Sequence, residues 1–175
     1  MSKISGKLDD RPVRVKIVGV GGAGCNGVDR LRFEPMGDVA LAAVNTDAQA
    51  LADSPVDETL MIGRQITCGL SAGGDAAKGE KAALADIEQL RALVGGMDLV
   101  FLLSGLGGGT GSGAAPVIAR VAKEQGALVI AFVTKPFSLE GEHRLKQAEA
   151  AVTKLREHCA AVIPLPNDLL LQHME

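Results

Sequence analysis

The stretch Met97–Pro116, MDLVFLLSGLGGGTGSGAAP, decides how the rest of this sequence is interpreted. Its apolar run Leu99–Leu103 predicts a buried strand, and the segment Gly107–Gly113, which we call the glycine loop, precedes an Ala-rich helical pattern over 114–125. A strand, a glycine loop and a helix in this order favour anion binding, because glycine lets the backbone approach a ligand and helix N-termini attract phosphate. Five of the seven loop residues are Gly, more than a tight turn needs, and the hydroxyls of Thr110 and Ser112 stand where a phosphate would sit.

A second unit of the same kind lies near the start of the chain. The apolar, β-branched run Val13–Val18 leads into GVGGAGCNGV, residues 19–28, and a helix is predicted to about Phe33. Residues 19–24, GVGGAG, fit GxGxxG, the dinucleotide-binding fingerprint, so a Rossmann oxidoreductase is one interpretation. A single GxGxxG is weak evidence, and that interpretation leaves the glycine loop without a role.

The GGGTGSG of the glycine loop is similar to the signature loop of the tubulin/FtsZ superfamily, and its surroundings resemble FtsZ, the bacterial cell-division GTPase. The loop lacks the Lys of a Walker A motif, which disfavours an ordinary P-loop NTPase. Further segments resemble that family in the family's order. They are GGAGCN at 21–26, NTDAQAL at 45–51, GLSAGGDAAKG at 69–79, TKPFSLEGEHR at 134–144 and PLPNDLL at 164–170. The resemblance covers roughly residues 12–171.

The resemblance implies which residues would contact a guanine nucleotide. The first loop and the glycine loop would wrap the phosphates, residues 45–47 would lie near the nucleotide and its hydrated metal, residues 72 and 73 would sense the terminal phosphate, residues 134–144 would bind the sugar, and Asn167 would read guanine. The full set is Gly21, Gly22, Ala23, Gly24, Cys25, Asn26, Asn45, Thr46, Asp47, Ala72, Gly73, Gly107, Gly108, Gly109, Thr110, Gly111, Thr134, Pro136, Glu140, Arg144 and Asn167.

Several of these residues also have a purely local interpretation. Thr46 or Asp47 could cap a short helix, and Asp47 lies about where a Rossmann enzyme places its ribose-binding acid. Glu140 and Arg144 could be a surface ion pair at i,i+4, worth a few tenths of a kcal/mol. Asn167 could cap a final helical turn. These alternatives stay open at the level of sequence.

The chain alternates strand and helix patterns from end to end. Loops that follow parallel strands gather at one edge of a sheet, so the separate motifs can converge on one ligand. We therefore expect an α/β fold, a Rossmann-like, mostly parallel sheet with helices on both faces, with a loose arm over residues 1–11 and a GTP-binding domain over 12–175. A loop is expected over 63–79 and one long helix over about 76–94, ended by Gly95 and Gly96. The resemblance implies that the family's C-terminal GTPase-activating domain is absent.

Composition limits the partners that we expect. With 47% hydrophobic and 22% charged residues and a net charge of −3, neither nucleic acid nor an anionic membrane is the expected partner. Three cysteines without a CxxC spacing suggest neither a disulfide framework nor a zinc site. No apolar run approaches the ~18 residues of a membrane span, and no signal peptide is visible, so a cytoplasmic protein is expected.

The function expected from the resemblance is binding of GTP or GDP with Mg²⁺ by one half of a division GTPase that polymerises with other FtsZ-type subunits. We identify no catalytic residue and no metal-binding cluster, and we expect the chain alone to hydrolyse GTP poorly. A short FtsZ-like module that joins or caps filaments is the alternative, and a Rossmann oxidoreductase is a further one.

Overall fold

The computed structural model describes residues 11–166. In this part of the chain the strands are β1 (Val15–Val20), β2 (Ala40–Asn45), β3 (Glu58–Met61), β4 (Leu99–Gly105), β5 (Leu128–Lys135) and β6 (Ala161–Pro166). The α-helices are α1 (Gly21–Leu31), α2 (Ala48–Ala52), α3 (Arg64–Thr67), α4 (Ala76–Ala85), α5 (Ile87–Val94), α6 (Gly109–Glu124) and α7 (Glu142–Arg156), and a 3₁₀ turn spans Ser138–Glu140.

All six strands pair in parallel in the order β3-β2-β1-β4-β5-β6. The chain winds outward from β1 to β3, returns to place β4 beside β1, and then winds outward the other way. This reversal is the switch point at which open α/β sheets bind their ligands, outside the carboxyl ends of the strands. The α/β prediction is confirmed, and the sheet is parallel throughout.

Helices cover both faces of the sheet. On one face, alternate residues such as Val18, Val100 and Val129 form a core with α4, α5, α6 and α7. On the other face, Ile17, Phe101 and their neighbours pack with α1 and α2. The outer strands of this second face carry partly exposed apolar side chains, those of Leu128, Ile163 and Leu165.

The structure corrects three sequence-based expectations of local structure. The glycine loop is not all loop, because α6 begins at Gly109 rather than at residue 114. The expected helix over 76–94 is two helices, α4 and α5, separated by Asp86, whose carboxylate accepts a hydrogen bond from Gly63 N at 2.6 Å. The expected loop over 63–79 contains a short helix, α3, while α4 begins at Ala76, where a helix was expected. The break at Asp86 coincides with a contact between segments 23 residues apart.

Helices α4 and α6 cross at a distance that only glycine permits. A Cβ atom at Gly113 would overlap the backbone of α4 at Ala76 O and Glu80 N, and it would lie 2.8 Å from Gly79 C. The obstacle is backbone, which cannot rotate away as a side chain can. The close crossing holds the first turn of α6 in place at the carboxyl edge of the sheet.

We expect Gly113→Ala to lower the free energy of unfolding by about 2–3 kcal/mol, because overpacking against the backbone outweighs the ~1 kcal/mol that Ala gains over Gly in a helix. Gly27→Ala in α1 is the matched control, since its Cβ would meet only the flexible Leu103 Cδ1 atom, at 3.3 Å. Urea unfolding of the two variants should show a large loss for Gly113→Ala and a change within about 1 kcal/mol for Gly27→Ala. Equal effects would contradict the packing argument.

Candidate functional site

A cavity of about 400 Å³ lies at the carboxyl edge of the sheet, beside the switch point between β1 and β4. Residues from five separate segments of the chain form its wall. They are Gly22, Ala23, Asn45, Asp47, Ala50, Ser71, Ala72, Gly73, Gly74, Gly105, Leu106, Gly108, Gly109, Thr110, Gly111, Thr134, Lys135, Pro136, Glu140 and Arg144. The topology thus brings motifs spread over more than a hundred residues to one place.

The helices α1 and α6 begin at this cavity without a side-chain cap. The N-cap residues are Val20 for α1 and Gly108 for α6, and neither makes a side-chain capping hydrogen bond. The first backbone N–H groups of a helix have no partner inside the helix, and its N-terminus carries partial positive charge. Two such ends at one cavity make a binding place for an anion that carries several oxygens.

The helices α2 and α4 begin differently. Asp47 Oδ1 accepts hydrogen bonds from Gln49 N and Ala50 N, at 3.0 and 3.1 Å. Asp75 Oδ1 likewise accepts from the first amides of α4, with the shorter bond, 2.8 Å, from Ala77 N. Asp47 therefore is the helix cap that one interpretation of the sequence offered, and it also borders the cavity. Of these four helices, α1 and α6 are the two whose first amides have no side-chain cap.

Buried hydroxyl groups link the loops behind the cavity wall. Thr46 Oγ1 and Thr110 Oγ1 lie 2.6 Å apart, and Thr67 Oγ1 donates to Thr46 O at 3.3 Å. Ser112 Oγ accepts a hydrogen bond from Gly107 N at 2.8 Å, so this hydroxyl braces the glycine loop from within, and Ser112 is buried outside the cavity wall rather than placed where a phosphate would sit. Thr67 lies outside every motif, and nothing in the sequence marks it as part of this network.

In the part of the cavity wall that follows β5, Glu140 is held by two donors. Its Oε1 accepts from Phe137 N at 2.8 Å, and its Oε2 from Arg144 Nη1 at 2.6 Å. These hydrogen bonds, that of the Phe137 amide first, hold the pKa of the Glu140 carboxyl below its usual value. The ion pair suggested by the i,i+4 spacing is thus formed, and both of its members border the cavity.

Some residues of the predicted set lie outside the cavity wall. Gly21 packs against Gly111, and Asn26 is exposed on α1. The Cys25 thiol is buried in the core beside Val44 O, and burial raises its pKa to about 12. The others are Gly24, Thr46 and Gly107, while Asn167 lies outside the described residues.

The cavity wall also contains residues that were not in the predicted set. Gly74 and Ser71 extend the loop that precedes α4, and Lys135 adds a cation between two predicted residues. All three lie inside the segments 69–79 and 134–144 that resemble the family, so the sequence does contain a signal for them. Within residues 11–166, no three or more His, Cys, Asp and Glu side chains are grouped so as to bind a metal ion.

The family model for the GTPase domain of the Tubulin/FtsZ family matches residues 14–175 of this chain. The chain belongs to the tubulin/FtsZ family. This assignment confirms the resemblance carried by the glycine loop and the other motifs. It also makes the Rossmann oxidoreductase interpretation unnecessary, because the family accounts for both glycine-rich segments.

Solved structures of this family are similar to the chain along nearly all of its length. A dimer of FtsZ from M. jannaschii without ligand has 40% sequence identity and a TM-score of 0.91, covering 95% of this chain and 49% of that one. A GDP-bound CetZ1 monomer from Haloferax volcanii has 28% identity and a TM-score of 0.81, covering 89% and 52%. A GTPγS-bound CetZ2 protofilament from the same organism has 28% identity and a TM-score of 0.79, covering 93% and 52%. The chain spans about half the length of these relatives.

None of the helices described in residues 11–166 is long and apolar enough to cross a membrane.

The geometry around Glu140 predicts how its carboxyl titrates. Because the folded-state pKa is lowered, the carboxylate stabilises the fold above its usual pKa, and this contribution is lost as the pH falls through the lowered value. We expect Arg144→Ala to raise the pKa of Glu140 only in part, since the hydrogen bond from the Phe137 amide, the largest single cause, stays. Carbon-detected NMR titration of Glu140 in both proteins measures this, and a complete return to the ordinary value would contradict the order of causes.

Proposed function

We propose that this chain is the guanine-nucleotide-binding half of an FtsZ-type cell-division GTPase. The observation that carries the proposal is that α1 and α6 both begin at one cavity with their N-termini free of side-chain caps. This suits the diphosphate or triphosphate of a nucleotide, which brings several negatively charged oxygens to one place. The family assignment implies that GDP and GTP are the ligands.

The shape of the cavity supports a nucleotide. A Cβ atom at Gly22 or at Gly108 would meet nothing within 4 Å, so the backbone at both positions is bare next to open space. Glu140 and Arg144 also border the cavity, where hydroxyl groups of a sugar could bond to them. Related structures with GDP and with GTPγS show that family members bind such ligands. Recognition of guanine by Asn167 remains part of the proposal.

Mg²⁺ is proposed as the companion of the nucleotide. This ion is usually held by one or two carboxylates together with substrate phosphates and water, so a dedicated cluster of protein ligands is not required. Asp47 borders the cavity, and its capping bonds use only the Oδ1 atom. When bound, Mg²⁺ would neutralise part of the phosphate charge.

The whole protein is proposed to polymerise in the cytoplasm, as a dimer and a protofilament among its relatives suggest. In such a protein the 175 residues would supply the nucleotide site, and the other half of the relatives' length would supply what hydrolysis and filament growth require. The two carboxylates of the cavity wall fit this division, because each has another role in the proposal. Asp47 would face Mg²⁺ with its Oδ2 atom, since its capping bonds use only Oδ1, and Glu140, with both oxygens hydrogen-bonded, would face the sugar.

Replacement of Gly108 by Leu tests the site. Its backbone, with φ −91° and ψ 170°, suits any residue, so the variant should fold while its side chain fills the open space in front of the α6 N-terminus. We expect the unmodified chain, stripped of nucleotide, to bind GTP and GDP in preference to ATP, and Gly108→Leu to weaken binding by about a hundredfold or more. Calorimetric titration in Mg²⁺ measures both.

The matched control is Ala150→Leu, which places the same side chain on the exposed face of α7. It should leave both affinities unchanged, and thermal unfolding without nucleotide shows whether either variant has lost its fold. Unchanged affinity in a folded Gly108→Leu variant would refute the site. Equal binding of ATP and GTP would refute guanine selectivity.

We expect turnover of GTP by the chain alone to be on the order of 10⁻³ s⁻¹ or slower, because the two carboxylates of the cavity wall, Asp47 and Glu140, are assigned to Mg²⁺ and the sugar and no further carboxylate lies in that wall to activate water. Phosphate release from purified chain at saturating GTP measures this. Addition of a full-length relative provides the positive control for the assay. Turnover on the order of 1 s⁻¹ by the chain alone would show that it contains a complete catalytic site.

A further inference from the structure

Gln147 on α7 joins two of the loops that border the cavity. Its Nε2 donates to Gly74 O and Gly107 O, both at 3.0 Å, and to Gly108 O at 3.2 Å. Its Oε1 accepts from Ala76 N, in the first turn of α4, at 3.4 Å. One carboxamide therefore connects the start of α4, the loop before it and the glycine loop.

The chemistry of these contacts requires a carboxamide. A Gln side chain offers donors on its nitrogen and an acceptor on its oxygen, and here the carbonyls lie on the donor side and the amide on the acceptor side. A carboxylate of the same length could accept from Ala76 N but could not donate to the carbonyls. An apolar side chain would leave all of these backbone groups without this partner. Gln147 itself is half-buried, so water competes only in part.

The loop that Gln147 holds, Ser71–Asp75, packs directly on the first turn of α6. A Cβ atom at Gly109 would lie 2.8 Å from both Ala72 Cβ and Asp75 N. Residues 71–74 also border the cavity. Phosphate groups held at the N-terminus of α6 would therefore lie beside this loop, and each added phosphate brings more oxygens that need donors.

We propose that Gln147 is a positioning residue that fixes the Ser71–Asp75 loop against the glycine loop and thereby sets the preference of the cavity for a nucleoside triphosphate over a diphosphate. The inference rests on the proposed function. Gln147 does not border the cavity, and it acts through the backbone of Gly74, Gly107 and Gly108. Without it the loop is free to move, and the ligand with the longer phosphate chain loses more contacts.

The test compares Gln147→Leu with Lys154→Met. Lys154 also ties α7 to α4, through a 2.8 Å ion pair with Glu80, but it touches neither loop. We expect Gln147→Leu to weaken GTPγS binding about tenfold and GDP binding less than about threefold. Lys154→Met should change neither affinity by more than about twofold. Equal weakening of the two nucleotides by Gln147→Leu, or none, would overturn the inference.

A second measurement needs no nucleotide. Hydrogen exchange of peptides covering residues 71–80 should be faster in Gln147→Leu than in the unmodified chain and unchanged in Lys154→Met. Unchanged exchange in Gln147→Leu would overturn the positioning role whatever the affinities. If Gln147→Leu exchanges faster but the unmodified chain binds no guanine nucleotide, the proposed function is overturned, and with it the triphosphate preference. The link that Gln147 makes between the loops would stand in that case.

Discussion

The N-termini of α1 and α6, both without a side-chain cap, are the feature on which the rest of the site depends. They follow β1 and β4, which are neighbours in the sheet, but the helices pack on opposite faces of it. The two helix starts meet where Gly21 packs against Gly111, and both first turns border the cavity beside this contact. The missing side-chain cap costs about 1 kcal/mol where the N-cap is Val, as in α1, and a few tenths where it is Gly, as in α6. A ligand that binds only the folded state restores stability in proportion to the logarithm of its concentration over Kd, so we expect bound nucleotide to stabilise this fold.

Most glycines of the loop serve packing rather than the ligand. A Cβ atom at Gly111 would overlap Gly105 O, one at Gly109 would press on Ala72, and one at Gly113 would overlap α4. Gly108 differs, because its missing side chain faces open space. The sequence pattern by itself suggests that the excess of glycine serves phosphate binding alone. In the structure, most of these glycines let α6 approach β4 and α4, which fixes the position of the N-terminus of α6. Gly108 instead leaves the backbone bare beside the ligand site.

The sequence predicted the fold well because its signals are local and repeated. Alternating apolar strands and amphipathic helices imply parallel strands with helical crossovers, and polar loops after strands must meet at one edge. The break at Asp86 was not predictable in this way, since it depends on a hydrogen bond to Gly63, which lies 23 residues earlier. Gln147 was missed for the same reason. A single carboxamide without a motif acquires its role only when residues 39 to 73 positions away come into reach.

The two capping aspartates explain how a chain of net charge −3 can present an anion site next to carboxylates. Asp47 and Asp75 both lie close to the cavity, and as free charges they would repel a phosphate. Each instead accepts two amide hydrogen bonds at a helix N-terminus, and the partial positive charge of that helix end offsets part of the negative charge of the carboxylate. Helices α2 and α4 thus neutralise the acidic residues, while α1 and α6 keep their positive ends for the ligand. The capped helix ends thus hold the structural carboxylates, and the uncapped helix ends form the place where a nucleotide's phosphates would bind.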